Sequence, residues 1–177
     1  MPATTSQPPA PAASSRVPLT AGEKKTLTAS LDRHRDALLW KLEDLDDEQV
    51  RRPVLPSGLS LLSLVKHLAS VEYRWCCAAF GRPSREVPTP PEDPHADWRV
   101  HPWETREGVL AYYADARRDA DAVLAELKVT DRGTTPGGEP VTLRRVLVQV
   151  VEEAARHAGR ADVVRELIDG RTGEHRD

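Results

Sequence analysis

Four stretches of the chain carry apolar residues at three- and four-residue spacing, and clusters of proline and glycine separate them. That period places the apolar side chains of each stretch on one face of a helix, so four such faces have to be buried against one another. The first stretch covers about 20–45, with Leu27, Leu31, Leu38, Leu42 and Leu45 in its stripe, and Thr20 with Glu23 has capping-box spacing. A short turn at 46–52 follows, and Pro53, Pro56 and Gly58 then break the chain. Ser60 caps the second helix, whose stripe of Leu61, Leu64, Leu68, Val71, Trp75 and Ala78 ends at Gly81. Thr105 caps the third, with Val109, Tyr112, Tyr113, Ala116, Ala120, Val123 and Leu127 inward. Thr142 opens the fourth, which runs through Leu143, Val146, Leu147, Val150, Ala154, Ala161, Val164 and Ile168 to Gly170. No segment alternates as a strand does, so the expected fold is all-α, an antiparallel four-helix bundle.

The 177 residues suit one domain with tails: a bundle over 19–172, an N-terminal tail at 1–18 and a C-terminal tail at 173–177. The first 18 residues hold five prolines and one charge, a composition expected to stay disordered, and they lack the apolar stretch of a secretory signal. No apolar run approaches the roughly 20 residues of a membrane helix. A net charge of -3 leaves no basic excess for the phosphates of nucleic acid or for anionic lipid. Cys76 and Cys77 are adjacent, a spacing that rarely closes a disulfide, and they read as small core residues of a cytoplasmic protein.

Ionisable residues intrude on two of the stripes. Positions 146, 150, 153, 157, 161, 164 and 168 advance by threes and fours, which puts Glu153 and His157 on the inward face of the fourth helix, one turn apart. On the second helix His67 lies between Leu64 and Val71. A carboxylate buried without a partner is costly, and a divalent cation would compensate it. Two imidazoles and one carboxylate make a three-ligand set, the number that leaves a metal one open position. Periodicity alone also allows a hydrogen-bonded core histidine at 67 and a simple i,i+4 pair at 153 and 157, worth only ~0.2–0.5 kcal/mol.

The segments Leu59-Ser60-Leu61-Leu62-Ser63-Leu64-Val65-Lys66-His67-Leu68-Ala69-Ser70-Val71-Glu72, Val151-Glu152-Glu153-Ala154-Ala155-Arg156-His157-Ala158-Gly159 and Arg165-Glu166-Leu167-Ile168-Asp169-Gly170 resemble the DinB-like four-helix superfamily. The likeness covers roughly 20–172 and lies nearest the actinobacterial mini-circle protein branch. It implies an up-down-down-up bundle with a metal, zinc or nickel, held by a histidine of the second helix and an H/E-x-x-x-H pair of the fourth. By position those ligands are His67, Glu153 and His157, and the glutamate resembles the variant found in mycothiol-dependent maleylpyruvate isomerases. The resemblance further implies a homodimer and mycothiol or bacillithiol as cosubstrate. Gln149 stands where relatives often have histidine, and Arg160 where they often have histidine or glutamine, which affects the surroundings of the metal and the substrate contacts. Arg160, one turn beyond His157, is a candidate anchor for an anionic substrate, against the bland reading of a solvated helix face.

The expected activity is therefore transfer of a low-molecular-weight thiol to a small electrophile, as a transferase or isomerase. A non-catalytic metal- or ligand-binding bundle and a metal-dependent hydrolase are the alternatives. The 24 residues from Gly81 to Glu104, with six prolines and two tryptophans, exceed an ordinary connection and are expected to wall a site. Within them His95, His101, Trp98 and Trp103 are secondary candidates, as is His34 of the first helix.

Overall fold

The computed structural model describes residues 17–173, so the expected disordered tail, apart from residues 17 and 18, and most of the expected C-terminal tail lie outside the described residues. Four long helices carry the architecture: α1 (Glu23–Trp40), α3 (Leu61–Glu72), α4 (Arg106–Glu126) and α5 (Leu143–Asp169), with a short α2 (Asp47–Arg51) between the first two. α1 packs along α5, and α3 packs against both α4 and α5. Every residue of α3 is buried, as a helix enclosed by its neighbours must be.

The side-chain caps at Ser60, Thr105 and Thr142 form as their sequence positions require, and Ser60 and Ser63 complete a reciprocal box. The cap expected at Thr20 does not form. Gly22 is the N-cap, and the Glu23 carboxylate, which would have reached back, is bonded instead by Arg144 of α5. α1 also ends at Trp40, five residues short of the expected 45. Its last carbonyls are taken by the amides of the turn that follows, Lys41 to Glu43, and arginines from elsewhere in the chain bond the carbonyls of that turn. Arg165 donates to the oxygens of Lys41 and Glu43 at 2.9 and 2.6 Å, and Arg106 to those of Leu45 and Leu42 at 2.7 and 2.9 Å. Leu42 and Leu45 remain in the core through the turn that follows.

After Glu72 the chain makes one π-helical turn (Tyr73–Cys77) and one 3₁₀ turn (Ala78–Phe80) before Gly81 caps it at φ 66°. A π turn inserts one residue, so the buried positions move from the expected Trp75 and Ala78 to Cys76 and Ala79, leaving Ala78 exposed. The expectation of no strand is corrected at one place. β1 (Arg132–Thr134) and β2 (Pro140–Thr142) form an antiparallel hairpin with Gly133 opposite Val141. Strands of three residues are too short to show alternation. A Cβ on Gly133 would lie 2.2 Å from the Ala79 carbonyl oxygen. Gly133→Ala is expected to cost about 1–3 kcal/mol in urea unfolding by forcing the hairpin off the 3₁₀ turn.

The proline-rich segment 81–104 contains one 3₁₀ turn, Ala96–Trp98, and three buried polar residues of α3 stitch it down. Lys66 Nζ donates to the Arg99 carbonyl at 2.7 Å and to Glu104 at 2.8 Å, Ser70 Oγ accepts from the Val87 amide at 2.9 Å, and His67 meets Asp97. Among the described residues no helix is long and apolar enough to cross a membrane.

Candidate metal centre

One turn of α5 separates Glu153 from His157, and their side chains meet, with His157 Nε2 at 3.2 Å from Glu153 Oε2. A ladder along the same helix orients the carboxylate: Arg145 donates to Gln149 at 2.8 Å, and Gln149 donates to Glu153 Oε1 at 3.0 Å. The departure at Gln149 thus has a structural use. His67 reaches in from α3, its ring edge-on to that of His157 at 4.9 Å between centroids. One ligand atom from each of His67, Glu153 and His157 lies within 4.8 Å of the others.

The donor set suits a dication. A tetrahedral ion with bonds of about 2.0–2.2 Å spaces its ligand atoms by roughly 3.3–3.6 Å, so these side chains need only small adjustments to close on one. The His157 side chain is 2% exposed. Burial pushes its pKa down to about 3, reinforced by the adjacent His67 ring and by the charges of Arg160 and Arg156, with Asp97 opposing. The imidazole is therefore neutral, the form whose lone pair binds a metal. An unfolded chain protonates this residue near its ordinary 6.5. Between those two values the unfolded state holds the extra proton, and stability falls as pH drops through that window. For the metal-free protein the loss from this group is up to about 1.4 kcal/mol per pH unit. Urea midpoints at several pH values, compared with His157→Gln, measure it; equal pH losses in the two proteins contradict the assignment.

The proline-rich segment walls the site, as its length implied. Trp98 stacks on His67 at 3.7 Å and 18°, and meets the His157 ring edge-on at 5.0 Å. Asp97, which carries no periodic signal in the sequence, accepts a hydrogen bond from His67 Nδ1 at 2.8 Å. Arg160 is exposed, with its guanidinium 5.8 Å from the centre of the Trp98 ring.

The other candidates lie elsewhere. His34 is half-buried on α1, His95 is exposed, and His101 stacks flat on Trp103, which is 75% exposed. Trp103 lines a separate cleft of about 560 Å³ with Val87, Glu104 and Tyr112, which none of the three convergent residues reaches. Cys76 and Cys77 are free and buried, and burial raises both thiols, Cys77 to about 11 and Cys76 beyond the usual thiol range. Neither is a nucleophile at neutral pH.

The family model for mycothiol-S-transferases matches residues 26–170. The chain belongs to the mycothiol-S-transferase family. The resemblance read from the histidine-bearing segments therefore stands, and so does the DinB-like helical fold. Among solved structures, a conserved protein from Enterococcus faecalis has the same fold, with a TM-score of 0.67 at 20% identity over 84% of this chain and 98% of its own. No curated protein sequence matches this mycothiol-S-transferase family member.

Proposed function

We propose that the protein is a divalent-metal-dependent S-transferase or isomerase that uses mycothiol against a small electrophile, with His67, Glu153 and His157 holding one zinc ion. The observation that carries this reading is the convergence of those three side chains from α3 and α5 on one point. A dication held by these three residues would supply Lewis acidity, lowering the pKa of a thiol brought to it toward neutral pH. The sulfur has to come from a cosubstrate, because both cysteines of the chain are buried and protonated.

The protein's own residues prepare the rest. Gln149 holds one carboxylate oxygen of Glu153 and leaves the other toward His157. Trp98 covers the face of His67 and excludes water from that side. Arg156 and Arg160 are exposed on α5 beside His157, and among the described residues neither pairs with a carboxylate. At least twelve other arginines among the described residues do. Free guanidinium donors at the mouth of the site favour an electrophile that bears a carboxylate, with Arg160, set over Trp98, as its anchor.

Zinc-loaded protein is expected to consume mycothiol in the presence of carboxylated electrophiles and to lose that activity with a chelator. Arg160→Ala should raise KM for carboxylated electrophiles on the order of 10–100-fold, the worth of one charge-assisted hydrogen bond, and leave KM for neutral ones unchanged. Tight zinc retention with no thiol consumed across a broad panel would instead identify a non-catalytic binder, and turnover without thiol a hydrolase.

A further inference from the structure

We propose that Asp97 is the positioning residue for His67, fixing its tautomer and presenting its Nε2 to the ion; this rests on the metal-centre reading above. The Asp97 side chain is 2% exposed, and its Oδ2 lies 2.8 Å from His67 Nδ1. An ionised carboxylate can only accept, so Nδ1 is the protonated nitrogen and Nε2 carries the lone pair. The neighbouring residue completes the restraint. Trp98 holds the plane of the ring by stacking at 3.7 Å, while Asp97 holds its edge. Two consecutive residues of the proline-rich segment thus set the orientation of one ligand.

Asp97 is poorly satisfied as a merely structural group. Its Oδ1 is buried without a hydrogen-bond partner, and its nearest cation, Arg74, is 3.8 Å away and bonded at 2.9 Å to Glu86. A buried carboxylate in that condition is costly unless positive charge is supplied nearby. With neutral imidazoles, Glu153 and Asp97 bring two negative charges to the centre, and one dication balances them. His157 has no equivalent support: its Nδ1 is buried without a partner. Asp97 is therefore the one carboxylate among the described residues that backs a histidine of the site.

The test is zinc affinity by competition with a chromophoric chelator, alongside thermal unfolding of the metal-free protein. Asp97→Asn keeps the shape and removes the charge. It is expected to weaken zinc on the order of 10–100-fold, while the metal-free melting temperature stays level or rises. Zinc affinity within twofold of wild type would overturn the inference, as would a lowered metal-free melting temperature with affinity retained, which is what simple pinning of the segment predicts. Nitrogen-15 NMR of the zinc-loaded wild type needs no variant: His67 is expected to show a protonated Nδ1 and a metal-shifted Nε2, and the reverse pattern would sink the proposal. Failure of the wild type itself to bind zinc would overturn the metal-centre reading and Asp97's role with it, an outcome distinct from equal binding by wild type and Asp97→Asn.

Discussion

With His157 replaced by alanine, bound zinc is expected to fall from about one ion per chain to less than about a tenth of that after gel filtration. The loss follows from the ligand count. Two remaining groups, His67 on α3 and Glu153 on α5, no longer define a site with three protein ligands, and Gln149 already holds one oxygen of the glutamate. The helices should survive. The imidazole is neutral, its Nδ1 has no hydrogen-bond partner to lose, and the Glu153 carboxylate that loses its Nε2 is 25% exposed and keeps its bond from Gln149. What remains is a void beside Trp98, worth about 1–3 kcal/mol. Arg156→Ala, one residue earlier on the exposed side of the same helix, is the control and keeps its zinc. Elemental analysis with circular dichroism reads both properties and also identifies the metal. Equal and negligible metal in wild type and variant would remove the premise of the proposed chemistry.

The residues that converge here were legible because helical periodicity survives in α3 and α5: a histidine between Leu64 and Val71 and a Glu/His pair on the stripe of Val150 and Ala161 had to face inward. What periodicity misses is whatever depends on contacts across the fold. The turn that ends α1 is held by Arg106 and Arg165, which lie more than sixty residues away in sequence and bond the carbonyls of Leu42, Glu43 and Leu45. The shift from Ala78 to Ala79 comes from a π turn that no local propensity announces. Asp97 sits in a segment where only length, prolines and tryptophans gave a signal, and its role appears once Trp98 is seen lying on His67. The family resemblance reached the three convergent residues and not this fourth.

A second long-range contact hidden from the sequence carries the largest expected effect on stability. Arg35 of α1 is 1% exposed and forks onto Glu72 of α3, Nε to Oε1 at 2.9 Å and Nη2 to Oε2 at 2.6 Å, while Nη1 bonds Asp32 at 2.8 Å and Asp121 at 2.7 Å. Burial disfavours the charge on Arg35, but Glu72, with help from Asp121, more than offsets it, so the guanidinium holds its proton beyond its ordinary range. Burial likewise pushes the Glu72 carboxyl up while Arg35 pulls it back. Arg35→Ala leaves a wholly buried carboxylate without its partner and is expected to cost about 3–5 kcal/mol, or roughly 6–20 °C in Tm for a chain of this size. Replacing both partners by apolar residues of similar volume, Arg35→Met with Glu72→Leu, removes the stranded charge, and Asp32 and Asp121, with side chains 41% and 54% exposed, fall back on water. The double variant should therefore recover most of the loss or exceed the wild type. Urea unfolding of the two single variants and the double one closes the cycle. A double variant less stable than Arg35→Ala would show that the pair contributes packing the apolar residues cannot replace, and that the cost assigned to the unpaired carboxylate is wrong.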